Sequence, residues 1–230
     1  MQDELGSPLR VSGYREKEGS FIGRSEYLTY GYDEFGNDFG KELNEADMLP
    51  VPGVTSDYEF KNSMEVYNSK EYIKGTNCYA YAFDMISNPI TGEKLGLYKE
   101  HSYETPWAMQ PGMLCNKYNE TNYYRSLQDE ELFISIVKED AEKLGLEFQE
   151  YKAGLTGGYI VAIAIDSDPE LPDYHFYREN GDGTWSCKRG RKKVDIGIEN
   201  PQSDAYDYNY RKFLGYYYIT EKEQDMCDER

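Results

Sequence analysis

The stretch "GGYIVAIAID", residues 157–166, decides how this chain is read. Two glycines and an Asp-Ser-Asp-Pro turn bound an apolar run rich in β-branched residues, which predicts a central, buried strand. Downstream, "DYHFYREN" (173–180), "GDG" (181–183) and "TWSCKRG" (184–190) predict a hairpin. Folding it about Gly181-Asp182 sets residues 186–188 opposite 175–177, with Ser186 and Cys187 beside His175. "KKVDIGIENP" (192–201) predicts another short strand, and "KFLGYYYIT" (212–220) closes the pattern. Upstream the period changes. Leu132, Phe133, Ile136, Val137, Ala141 and Leu144 recur at helical spacing and predict a helix over 127–144. Ser126-x-x-Asp129 would be its capping box and Gly145 its stop. Residues 77–87 read as a second helix, broken by Asn88-Pro89. Residues 100–125, where "ETPWAMQPGMLC" sets two prolines around Trp107, read as a loop. Helices first and antiparallel strands afterwards make an α+β fold, an N-terminal helical half packed on a C-terminal antiparallel sheet.

Residues 1–60 are rich in Gly, Tyr and acids and are punctuated by "LPVPGV" (49–54). They read as an irregular arm, with "EYLTYGYDEFGNDFG" (26–40) as a weak hairpin signal. The domain proper is expected over 61–220, with a polar acidic tail over 221–230. A chain of 230 residues can bury a core without disulfide or metal staples. Its 24 tyrosines serve strands whether buried or wet, because each joins an apolar body to a polar tip.

A net charge of −18 argues against direct nucleic-acid binding, which Lys and Arg drive, and against anionic membrane surfaces. It leaves open an acidic decoy that occupies a basic protein. Four cysteines (Cys78, Cys115, Cys187, Cys227) without a C-x-x-C, and two histidines, do not make a zinc pattern. Neither a metal nor another cofactor is expected. The start "MQDELGSPLRVSGY" lacks a basic and an apolar region, and no stretch approaches a membrane span. A cytoplasmic protein with reduced thiols is expected, with export by a route that needs no signal peptide the alternative.

The chemistry centres on "GTNCYAYAFDM" (75–85), where Cys78 follows a Gly-Thr-Asn turn and opens a helix. Unpaired N–H groups and partial positive charge at a helix start favour the thiolate. His175, near the start of a later strand, is the natural imidazole partner, able to take up a proton and return it to a leaving group. The backbone N–H of Cys78 would face an oxyanion. Cys115 in "GMLCNKY" is a rival nucleophile without such a turn.

A cysteine on an early helix followed by a histidine on an antiparallel strand resembles the papain-like superfamily, above all its compact CHAP and NlpC-type branch. The blocks "NCYAYA" (77–82), "DYHFYR" (173–178) and "WSCKRG" (185–190) also resemble uncharacterised bacterial and viral proteins that share them. The resemblance covers roughly residues 75–220. It implies a cysteine hydrolase of amide bonds, acting on a peptide or a peptidoglycan-type substrate, with Cys78 as nucleophile and His175 as general base and acid. The third member or supporting group is then sought among Asn200, Ser186, Cys187 and Asn77. Such relatives carry His in the slot held here by Cys187, and this departure points to the alternative, a non-catalytic papain-like module that binds a protein partner. Trp107, Gln110 and Trp185 are candidates to line a substrate groove, and His101 reads as a surface loop residue. "KRGRKK" (188–193) gathers five positive charges, suited to an anionic substrate or to balancing nearby acids. Cys227 sits in the polar tail.

Overall fold

The computed structural model describes residues 11–13, 16–17, 20–21, 26–28, 48–53, 60, 63–88, 91, 109–168 and 172–222. The chain divides into two compact units, Met1–Met48 and Leu49–Arg230. In the first, β1 (Val11–Gly13) pairs antiparallel with β4 (Glu26–Leu28), and β2 (Glu16–Lys17) pairs with β3 (Ser20–Phe21). The anticipated 26–40 hairpin thus gives its first residues to a strand that pairs backwards with β1. Its remainder, residues 29–40, lies outside the described residues.

The second unit is α+β. Its six-stranded antiparallel sheet runs in the order β5-β10-β6-β7-β8-β9. These strands are β5 (Leu146–Glu150), β6 (Tyr159–Asp166), β7 (Asp173–Glu179), β8 (Trp185–Lys188), β9 (Val194–Ile198) and β10 (Lys212–Glu221). The helices are α1 (Met64–Tyr67), α2 (Cys78–Ala82), α3 (Glu120–Ser126), α4 (Glu130–Lys143) and α5 (Pro201–Asp207). As its apolar run requires, β6 is central and buried from Tyr159 to Ile165. It begins immediately after Gly158 because only glycine fits there: a Cβ would stand 2.1 Å from the carbonyl oxygen of Ile219 on β10.

Helix α4 buries Phe133, Ile136, Val137 and Ala141, each a contribution of about 1.5–3 kcal/mol for the larger side chains. Its cap is Asp129 itself, which accepts the N–H of Leu132 at 3.0 Å. Ser126, expected to cap it, instead ends α3 and donates back to the Tyr123 carbonyl. Helix α2 stops at Ala82, short of the anticipated residue 87, because Asp84 adopts φ 45° and closes a Schellman turn. Asp84 N–H donates to Tyr81 O and Met85 N–H to Ala80 O. The Asp84 carboxylate also accepts from Tyr67 and Ser87 hydroxyls, both at 2.9 Å, which holds it in a conformation usually left to glycine. In this unit four elements fall where no regular structure was anticipated: α1 ahead of the Cys78 turn, α3 inside the supposed loop, β5 immediately after Gly145, and α5 beyond β9.

The sheet has two furnished sides. Tyr174, Phe176 and Arg178 of β7 face α2 and α4, whereas His175 and Tyr177 face α5. The β7–β8 register differs by one residue from the expected fold. Tyr177 stands opposite Cys187 and Arg178 opposite Ser186, because the loop turns about Asp182, between two glycines of positive φ (Gly181 at 79° and Gly183 at 85°). A shift of one residue in a strand exchanges what shares each side. Ser186 and Lys188 therefore join the α2 side, and Cys187 the α5 side.

Candidate functional site around Cys78

The turn before α2 is fixed from three directions. Asn77 is its N-cap: the side-chain oxygen accepts the N–H of Ala80 at 2.9 Å, while the amide donates to Met109 O at 3.0 Å and to the Tyr174 hydroxyl at 3.1 Å. Thr76 bonds back to Tyr72 O through its hydroxyl at 2.7 Å. Lys188, fully buried, donates from Nζ to Ile73 O and Thr76 O, both at 2.9 Å, and to Gly190 O at 2.6 Å. The end of β8 is thereby tied to the loop that delivers Cys78.

Cys78 is 5% exposed, and its thiol points at the carbonyl oxygen of Tyr174, 3.9 Å away and 96 residues along the chain. That carbonyl belongs to the peptide bond leading into His175, so the fold brings the cysteine to the backbone of the expected histidine. It does not turn the imidazole toward the thiol. The His175 ring packs edge-on against Tyr177 (4.7 Å, 82°) and stacks on Tyr210 (5.5 Å, 24°), both on the α5 side. The physical reason is strand alternation: with Tyr174 directed at Asn77 and Gln110, its neighbour must face the other way. Tyr174 donates to Gln110 Oε1 at 2.6 Å, which sets half-buried Gln110 beside the Cys78 turn.

The remaining candidates scatter. Ser186 lies under α2 rather than beside His175, shares a 2.8 Å hydrogen bond with the Tyr81 hydroxyl and donates to Asn180 at 2.6 Å. Cys187 is fully buried on the α5 side, where burial pushes its thiol pKa well up. Asn200 caps α5, accepting the N–H groups of Gln202 and Ser203. Trp185 is fully buried 5.5 Å from the Tyr216 ring, so it fills core instead of lining a groove. Cys115 is half-buried with its thiol pushed up to about 11, first by burial and then by Asp140. Trp107, His101 and Cys227 lie outside the described residues.

The basic run divides. Lys188 is internal, and Arg189 stacks 3.4 Å over Tyr208 and pairs with Asp195 and Asp204. Arg191 and Lys193 stay exposed. Burial pushes the Lys188 pKa down to about 7, and negative charge on Cys78 raises it. The three carbonyl oxygens around Nζ also favour the ammonium form. Among the described residues no group of three or more His, Cys, Asp or Glu could hold a metal ion, and no helix is long and apolar enough to cross a membrane.

Sequence reasoning missed Tyr174 and Lys188. Both lie within the quoted blocks: Tyr174 takes the side that alternation denies to His175, and a hairpin turning about Asp182 places Lys188 on that same side. Asn77, Gln110, Tyr174 and Lys188 make the polar surroundings of the Cys78 turn between α2 and the sheet, and their hydrogen bonds fix that turn beside β7. Neither a scan of family models nor searches of curated proteins and of solved structures found a match to this chain.

Proposed function

We propose that the chain is a cysteine-dependent hydrolase of amide bonds, of a peptide or peptidoglycan-type substrate, acting in a reducing cytoplasmic setting. It uses a papain-like arrangement of nucleophile helix on antiparallel sheet. The observation that carries this reading is the contact between the Cys78 thiol and the peptide entering His175, 3.9 Å across the fold. In the reaction the Cys78 thiolate attacks the substrate carbonyl, the C–N bond breaks with a proton delivered to the amine, and water releases the acyl group from sulfur. In this reading half-buried Gln110 is the amide that orients the substrate, while Asn77 holds the Cys78 turn. His175 is the proton carrier of the reading, and that role requires its ring to leave Tyr210 and the β7 backbone at His175 to turn over, because the side chain leaves the strand on the α5 side. Peptides and peptidoglycan fragments incubated with the wild type and with Cys78→Ser, with products read by mass spectrometry, test the reading. Cleavage that disappears in Cys78→Ser is expected; cleavage that persists ends it.

A second reading is favoured by the seat of the His175 ring among α5-side aromatics and by Cys187 in the expected histidine slot. It is a papain-like module that binds a partner without catalysis, and a net charge of −18 suits a basic one. It predicts that Cys78 alkylates slowly at neutral pH, at the same rate in His175→Ala.

A further inference from the structure

Among the described groups, Tyr174 on β7 and Lys188 and Cys187 on β8 are titratable and lie within reach of the field of Cys78. Burial raises the Tyr174 hydroxyl and the Cys187 thiol well above their ordinary values, so both stay neutral at pH 7. Lys188, which burial pushes down to about 7 and negative charge on Cys78 raises, is the one of these that is positive when protonated. Its placement rests on geometry: Nζ is bonded to the carbonyl oxygens of Ile73 and Thr76, the second only two residues ahead of Cys78, and it is wholly removed from water. A charge in such surroundings is screened far less than one at the surface. A short capped turn alone would supply only a weak field.

We propose that Lys188 is the positioning residue of the site, with its buried ammonium holding the Cys78 turn in place and drawing the Cys78 thiol toward the thiolate. This deepens the hydrolase reading and rests on it. Activation loses one proton, from Sγ to water, while the ammonium keeps its own three. The charge usually assigned to an imidazolium then comes from an amine on the next strand, and His175 is left to the proton transfers.

The experiment is the pH profile of Cys78 alkylation by iodoacetamide, read by peptide mass spectrometry, in wild type, Lys188→Gln, Lys188→Met and His175→Ala, each first checked for a cooperative melt. The expected result is a wild-type profile shifted below the free-thiol value of about 8.5, retained in His175→Ala. In both Lys188 variants it moves up by about one unit, so that labelling at pH 7 is about tenfold slower. A merely structural lysine would change the melt and leave this profile in place. A profile that moves with His175 and not with Lys188 overturns the inference and leaves the hydrolase reading standing. A wild-type profile at or above the free-thiol value overturns both. Where the variants do not fold, the wild type alone decides through the ratio of its rates with iodoacetate and iodoacetamide. A neighbouring cation favours the anionic reagent despite the acidic surface, and a ratio no greater than that of free cysteine overturns the inference.

Discussion

On the α2 side of the sheet, charge is held dry. Asp140 is fully buried and accepts from the Tyr79 hydroxyl at 3.0 Å and from the N–H groups of Gly112 at 2.6 Å and Cys115 at 2.8 Å. Lys188 gives all three of its donors to backbone carbonyls. On the α5 side charge is held at a rim. Arg189 reaches Asp204 and Asp195, whose side chains are 22% and 50% exposed, and Tyr177 donates to the same Asp204. The same strands supply both sides, so the difference comes from what covers them. The α2 side lies under a 14-residue helix and two long turns, the α5 side under a 7-residue helix. Buried ions that organise backbone are costly to remove, whereas rim pairs contribute little.

The largest effect expected is alkaline unfolding. Burial, foremost among the causes, raises the hydroxyls of Tyr67, Tyr79 and Tyr174 on the α2 side and of Tyr177 on the α5 side. Above about pH 10 the unfolded chain releases these protons and the native state keeps them. The native state then binds more protons, so stability falls as pH rises, by about 1.4 kcal/mol per group per unit. Tyrosinate absorbance and circular dichroism should change together in one transition. If Tyr177 ionises first, at a lower pH than the others, the α5 side opens on its own and the two sides are not one cooperative unit.

Next comes the pair of carboxylates. Asp140→Ala leaves three buried donors without their acceptor and should cost about 3–5 kcal/mol. Asp204→Ala should cost about 1 kcal/mol, because Arg189 keeps Asp195 and water reaches the rim. Denaturant midpoints measure both, and equal losses would erase the contrast between dry and rim charge.

A smaller effect separates the hydroxyls. Tyr174→Phe removes the bond to Gln110 and the acceptor for Asn77, and should cost about 1 kcal/mol. It should also raise the Cys78 labelling rate by loosening the turn. Tyr177→Phe should cost less and leave Cys78 labelling as it is; a change there would mean that the sides communicate through β7. The smallest effect is a ranking of thiols. At pH 8 Cys187 should stay unlabelled in the native protein, and Cys115 should label slowly and accelerate only as pH nears 11. Ready labelling of Cys187 would show that the α5 side admits water.

Much of the sheet is legible because its strands are punctuated: Gly157-Gly158 before β6, the Gly-Asp-Gly loop after β7, and Asn200-Pro201 after β9. Helix α4 is legible because its apolar stripe faces one core. Helix α5 has a start signal in Asn200 followed by Pro201, but its seven residues bury only Pro201, Gln202 and Ala205, too few apolar positions to show a helical period. Strand β5 has only two inward residues, Leu146 and Phe148, too few to register as alternation. The Cys78 turn was legible from its Asn77 cap. Its β8 neighbour Lys188 was not, because its side depends on which of two adjacent residues the hairpin turns about, and no local preference separates Gly181-Asp182 from Asp182 alone; Tyr174 was not, because His175 was expected on the side that Tyr174 takes.

That five-residue connection, closed by Asn180 N–H on Thr184 O at 2.9 Å, also constrains how the chain can vary. Strand β7 is locked to β6 across six residue pairs, so any change in loop length is absorbed by β8. Loss or gain of one residue that slid β8 by a single position would carry Lys188 out of the α2 core and bring Arg189 into it. A change of two would keep every side chain on its own side. Viable insertions and deletions in this loop should therefore come in even numbers, a parity rule that a library of loop-length variants could read directly from which members fold.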